Sequence, residues 1–282
     1  MRFAIATADK NDGVLNALLA KGWEPLKLFT FTLDRRFHGE AVTATAEQLG
    51  IPVQVSRLTD ADLGALAAQG CQALVVSNYR WRIGDWRPHL PYAINFHPSP
   101  LPEGRGPWPL VRALREGRTR WGVSCHQLAP DFDSGDLLLQ EHFDLADDET
   151  QEGLDLRCQM ALRRLAAQVA LDLPGLWRRA QPQGDGSYWQ RWTAQEQQVD
   201  LQGDVAAAQR QLRAFGLIEC TVKLGVSSLW VHRAVAWREP HAHAPGALVH
   251  ANGRAMVFAL KDGYLGLLEW SMASPKDPTR AG

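Results

Sequence analysis

Ala93-Ile94-Asn95-Phe96-His97-Pro98-Ser99-Pro100-Leu101-Pro102-Glu103-Gly104-Arg105-Gly106 joins a strand, a loop and the approach to a helix in one run. It opens as a short apolar run of strand type and passes into a loop rich in Pro and Gly. Residues 107–116 then read as a helix, with a proline near the start and Gly117 at the end. A strand that empties through such a loop into a helix is the repeating unit of an α/β sheet.

The residues before it repeat the pattern. Strands are expected at 3–7, 26–31, 53–56 and 73–77, and helices at 14–21, 39–49 and 60–69. Thr59 or Asp60 caps the third helix and Gly70 stops it. After the quoted stretch, two more strands are expected at 122–128 and 136–143, followed by a long amphipathic helix at 150–173 that Pro174-Gly175 breaks. Strand and helix in alternation imply a Rossmann-like, mostly parallel sheet flanked by helices on both faces. Residues 1–174 are thus expected to form one α/β domain, the N-terminal one, and 175–202, polar and Gln-rich, a linker. Residues 203–282 form a smaller domain of one helix and short, evenly spaced strands, the pattern of a small β-barrel.

Composition narrows the function classes. Lys plus Arg number 30 against 31 Asp plus Glu, a net charge of −1, which disfavours a broad nucleic-acid footprint. No run of about 18 apolar residues occurs, so no membrane span is expected. The first apolar stretch is too short for a signal peptide. Four cysteines without a C-x-x-C pair disfavour a zinc site and a disulfide framework, and fit a reducing cytoplasm. The pair His241 and His243 has no third metal ligand nearby in sequence. Gly104 and Gly106 lack the spacing of a dinucleotide loop.

Ligands of open α/β sheets bind outside the carboxyl ends of strands. Asn95 and His97, two apart on a strand, point the same way there, one an amide donor and the other a titratable imidazole. About 35 residues on, a second strand ends in Leu128-Ala129-Pro130-Asp131-Phe132-Asp133-Ser134-Gly135-Asp136. A carboxylate from that loop could fix the His97 tautomer. Asp131 and Asp133 compete for this role, and His126 reads as structural.

The pattern Asn-x-His-Pro-Ser-x-Leu-Pro, then Gly122-Val123-Ser124-Cys125-His126 and Asp133-Ser134-Gly135-Asp136, resembles the formyltransferases that use 10-formyltetrahydrofolate. The resemblance is firmest from 72 to 143, and the C-terminal region resembles the OB-like domain of the tRNA and sugar enzymes. It implies Asn95, His97 and Asp133 as a catalytic trio. Asn95 and protonated His97 would donate to the oxyanion formed when an amine attacks the formyl carbonyl. Asp133 would orient His97 and accept the amine proton through water. The resemblance further implies that Ser99, Pro100, Leu101, Pro102, Gln127, Asp131 and Tyr79 bind the folate co-substrate, and that no metal takes part. Position 100 is Pro where the family usually has Leu, a departure that touches the folate loop.

The expected acceptor is a small-molecule amine, an amino sugar nucleotide or an amino acid-derived metabolite. Charged tRNA is disfavoured because residues 32–39 are too short for the basic insertion of the tRNA enzymes. Residues 199–282 also hold only nine Lys or Arg against seven Asp or Glu. A formyltetrahydrofolate hydrolase is the less expected alternative, since the chain opens directly on its first strand, and a folate binder without turnover is the non-enzymatic one. Eleven Trp against four Tyr stand out. Trp81, Trp86, Trp108 and Trp121 all fall in the catalytic half, as core residues or as walls of a pocket for a flat ligand.

Overall fold

The computed structural model describes residues 1–31 and 40–272. The chain divides into two compact units. The first gathers Met1–Pro109, Arg120–Asp144 and Asp155–Trp189, and the second Leu110–Thr119, Leu145–Leu154 and Gln190–Gly282.

The first unit is built on seven strands: β1 (Arg2–Thr7), β2 (Glu24–Phe29), β3 (Val53–Gln54), β4 (Ala73–Ser77), β5 (Tyr92–His97), β6 (Arg120–Gln127) and β7 (Leu137–Asp144). Their order is β3-β2-β1-β4-β5-β6-β7. Strands β1 to β5 pair in parallel, whereas β6 and β7 run antiparallel. The expected mostly parallel, helix-flanked sheet is therefore present. Every residue of β4 is buried, as a parallel strand covered on both faces requires. The order reverses between β1 and β4, the kind of switch point outside whose carboxyl ends open α/β sheets hold ligands.

Helices α1 (Asp12–Ala20), α2 (Glu40–Gln48), α3 (Asp60–Ala68), α4 (Pro109–Arg115) and α5 (Gln151–Arg178) lie between and after these strands. Thr59 caps α3: its hydroxyl accepts from the Asp62 N–H, and the Asp62 carboxylate answers at the Thr59 N–H. The break in α5 falls at Asp172, whose backbone leaves the helical region, and the chain then coils on to Arg178. Asp172 Oδ1 accepts from the Gly175 N–H at 2.9 Å, so it caps a new helical segment in which Pro174 sits in the first turn. Proline there starts a segment rather than ending one. Residues 32–39, compared above with a basic insertion, lie outside the described residues.

The second unit contains α6 (Ala194–Gln197) and α7 (Val205–Phe215), the latter capped by Asp204 Oδ1 accepting from the Ala207 N–H at 2.7 Å. Strands β8 (Cys220–Leu224), β9 (Ser227–Arg238), β10 (Leu248–Ala251), β11 (Met256–Ala259) and β12 (Gly263–Ser271) form an antiparallel sheet of order β10-β11-β12-β9-β8. Leu265, Leu267, Phe258 and Ala259 supply buried side chains from its central strands.

Candidate active site

Strand β5 carries Asn95 and His97 to its carboxyl end. His97 is buried, at 7% exposure, and its Nε2 lies 3.0 Å from the Gly104 carbonyl oxygen. Its Nδ1 lies 3.4 Å from Asp133 Oδ1. The Asn95 amide nitrogen donates to the same Oδ1 at 3.2 Å, and its second hydrogen meets His126 Nε2 at 3.0 Å. The Gly106 N–H donates to the other carboxylate oxygen at 2.9 Å. The three residues expected from sequence thus converge on one point, and the carboxylate is at their centre.

Asp133 stands on a left-handed backbone, φ 56°, at the turn between β6 and β7. That turn is closed by the Gln127 N–H donating to the Asp136 carbonyl at 2.9 Å. Gly135 is obligatory beside it, because any Cβ there would collide with the Gln127 carbonyl oxygen. Gly106 is likewise fixed, with φ 108° and the Trp189 carbonyl where a side chain would stand.

The electrostatics follow from burial and these contacts. Burial alone would raise the Asp133 pKa, but facing His97, hydrogen bonding with His126 and the Gly106 N–H reverse the sign and hold it well below the usual carboxylate range. For His97, burial dominates and lowers its pKa, against the opposing pull of Asp133 and the Gly104 carbonyl. The resting ring is therefore neutral at neutral pH. A neutral imidazole has one N–H for two acceptors, Gly104 O and Asp133 Oδ1, and a second proton would satisfy both.

Among the seven residues expected to bind folate, Ser99 and Leu101 are buried and tied within the protein. The Ser99 hydroxyl donates to the Glu103 carbonyl at 2.8 Å, and the Leu101 N–H donates to Ser124 Oγ at 3.0 Å. Pro100, Pro102, Gln127 and Tyr79 are half-buried. The Tyr79 hydroxyl accepts from the Leu58 N–H at 2.8 Å. Asp131 is exposed and pairs with Arg82 at 3.3 Å, outside the buried cluster that holds Asp133.

Two groups of residues were not anticipated. His126 stands directly across from Asn95 in the β5–β6 register, and its Nδ1 lies 2.7 Å from the Gln127 carbonyl oxygen. The second group is the polar stretch after α5. Gln183 Nε2 donates to the Asp133 and Gly135 carbonyls at 2.8 and 2.6 Å, while its Oε1 accepts from Arg105 Nε at 3.0 Å. Ser187 Oγ accepts from the Gly104 N–H at 3.1 Å, and the Trp189 N–H donates to the Arg105 carbonyl at 2.6 Å. Residues 183–189 therefore bind the His97 loop and the Asp133 loop to one another.

The tryptophans divide. Trp121 is fully buried, donates to the Pro98 carbonyl at 3.0 Å and stacks on Trp189 at 5.7 Å, bracing the loop from beneath. Trp86 is a core residue set edge-on to Trp177. Trp81 and Trp108 are half-buried.

An amide, an imidazole and a carboxylate gathered at the carboxyl end of β5 are groups that an acyl-group transfer would use, an N–H donor for an oxyanion and a titratable base. Residues 87–169, which span this cluster, match the family model described as formyl transferase. Through this segment the chain is similar to the formyltransferase family, as its motifs implied. A methionyl-tRNA formyltransferase of Bordetella avium is 29% identical over 93% of this chain and 80% of its own length. The N-formyltransferase of Helicobacter canadensis, solved with folinic acid and dTDP-3-aminofucose, superposes with TM-score 0.68 at 12% identity, over 96% of this chain and 99% of its own. HypX of Aquifex aeolicus gives TM-score 0.69 at 15% identity, over 96% of this chain but 45% of that longer protein.

Proposed function

We propose that this enzyme moves a formyl group from 10-formyltetrahydrofolate to a primary amine, and that the amine belongs to a small molecule. The Asn95–Asp133–His97 cluster carries this reading. An unprotonated amine attacks the formyl carbon, and the carbonyl becomes a tetrahedral oxyanion that needs N–H donors. Asn95 supplies one by releasing His126 Nε2, because its other bond, to the charged Asp133, is about twice as strong. Neutral His97 takes the proton that the amine loses. The resulting imidazolium satisfies Gly104 O and Asp133 together, then passes the proton to N10 of the folate as the carbon–nitrogen bond breaks. His97 thus enters neutral and becomes protonated during the reaction, a change from the sequence expectation.

Pro100, Pro102, Gln127, Tyr79 and Asp131 are proposed to contact the folate directly, and Ser99 and Leu101 to shape the loop from inside. The second unit is read as an OB-like module. Near-balanced charge in residues 199–282, nine basic against seven acidic, supports a small acceptor over RNA. A second reading, methionyl-tRNA as acceptor, is favoured by the name of the relative that aligns over 93% of the chain.

The test is consumption of 10-formyltetrahydrofolate, followed by the absorbance of released tetrahydrofolate, against amino sugar nucleotides, amino acid-derived amines and charged tRNA. Turnover with one small amine supports the proposal, and turnover with tRNA alone selects the second reading. Consumption without any acceptor identifies a hydrolase. Binding without consumption under every acceptor identifies a folate binder.

A further inference from the structure

The second unit contains a cavity of about 410 Å³ whose wall includes Arg112 and Arg115 of α4 and Arg210 of α7. Only two acids, Glu116 and Glu196, share that wall, and both are committed. Glu116 receives Arg112 Nε at 2.6 Å on one oxygen and Arg118 Nη2 at 3.0 Å on the other. Glu196 Oε2 accepts the Thr193 N–H at 2.8 Å, and its Oε1 takes Arg115 Nη1 at 3.3 Å. Three guanidinium groups thus hold the two carboxylates, and Arg210 is a further one on the wall. Burial opposes ionisation of Glu116, but its two arginines prevail, and the Thr193 N–H does the same for Glu196, so both acids stay charged.

Two further features make the arrangement a receptor rather than a neutral ion-pair patch. Arg115 is preorganised: Nη1 is held by Glu196, and Nε donates to Gln211 Oε1 at 3.2 Å, with Gln211 itself donating to the Glu196 carbonyl at 2.6 Å. A guanidinium locked on one edge loses little freedom when another edge binds a ligand. Arg210, by contrast, is exposed and makes no ion pair or hydrogen bond among the described residues. It is the unspent charge of the site. Guanidinium forks match phosphate oxygens in spacing and plane.

We propose that this cavity is a phosphate-binding site for a small ligand bearing a mono- or diphosphate group, with Arg115 as the fixed donor and Arg210 as the closing one. The volume lies within the usual range for small-molecule sites, roughly 300–1,000 Å³. An adjoining lobe of about 340 Å³, which shares Arg115, Glu196, Ala207 and Gln211, provides polar Gln195 and Gln198 for the rest of such a ligand. The proposal stands apart from the formyl-transfer reading and survives its failure.

The probe is inorganic pyrophosphate, titrated calorimetrically into the full-length protein, with inorganic phosphate as the weaker arm. Saturable binding is expected, weakened tenfold or more by Arg210→Gln and lost in Arg210→Glu, while Arg254→Gln, an exposed arginine elsewhere, leaves it unchanged. Far-UV circular dichroism confirms that each variant is folded. Absence of pyrophosphate binding by the folded wild type overturns the proposal, as does equal binding by Arg210→Gln. A short RNA that binds through Arg210 and is not displaced by pyrophosphate also overturns it, in favour of a nucleic-acid contact.

Discussion

Replacing Asp133 by Asn keeps the shape of the side chain and removes its charge, so the change isolates the carboxylate. In the native site the two oxygens accept from Gly106 N at 2.9 Å and Asn95 Nδ2 at 3.2 Å, with His97 Nδ1 at 3.4 Å, and only 10% of the side chain is exposed. An amide can present an oxygen to one side only, so its NH2 end must face a donor on the other. Losing one charge-assisted bond in a buried place costs about 1.5–3 kcal/mol of stability. The catalytic loss is larger, because a protonated His97 no longer has a counter-charge. Removing general acid–base assistance typically costs about 10²–10⁴ in rate, which at about 1.36 kcal/mol per decade is roughly 3–5 kcal/mol of barrier. Asp131→Asn is the comparison: its carboxylate is 87% exposed and pairs with Arg82, an interaction worth about 0–1 kcal/mol, so its stability should stay near wild type and any loss of rate, through its proposed folate contact, should be well below that of D133N. Initial rates of formyl transfer and thermal midpoints should be measured on both variants. If D133N keeps more than a third of the wild-type rate while D131N loses activity, the assignment of the carboxylate is wrong.

Four further outcomes are expected. Gln183→Ala removes the bridge between the two loops and should lower kcat by about tenfold with a smaller change in KM, since roughly 1 kcal/mol per lost hydrogen bond loosens groups that act in the transition state; an altered KM with unchanged kcat would argue for a folate contact instead. His97 has a native pKa below its unfolded value of about 6.5, so the unfolded chain binds a proton first and stability should fall as pH drops below that point, by at most about 1.4 kcal/mol per pH unit; urea midpoints from pH 7 to 5 should show a shallower slope for His97→Gln, and identical slopes would refute the claim. Asp133, whose pKa is depressed, adds stability above about pH 3.9 that is lost as pH falls further, so its effect should appear only below the His97 window. Gly106→Ala should destabilise by about 1–3 kcal/mol through its positive φ alone, and a thermal midpoint equal to wild type would show that the loop yields.

What the sequence makes legible is what is local. The placement of Asn95 and His97 on one side of a strand end follows from a period of two, and the parallel sheet follows from alternation and apolar runs such as Ala73–Ser77. His126 eluded the reading because its importance lies in register: it is 31 residues from Asn95 and meets it only through strand pairing. Gln183 was hidden for another reason, since a Gln-rich polar stretch looks the same whether it is solvated or tied to carbonyls. The kink at Asp172 shows that Pro174 alone does not say which way a helix signal points; the capping carboxylate two residues earlier decides it. In the second unit the strand spacing is readable, but whether such strands close into a barrel depends on pairings between its first and last members, which spacing does not encode.

The tie between residues 183–189 and the two loops also bears on how this enzyme can be recombined with its relatives. A crossover placed at the apparent end of the long helix, near residue 174, would hand the site a foreign Gln183, Ser187 and Trp189 while keeping its own Arg105 and Asp133. The natural seam for chimaeras therefore lies beyond Trp189, and a library cut there should retain activity in far more members than one cut at the helix.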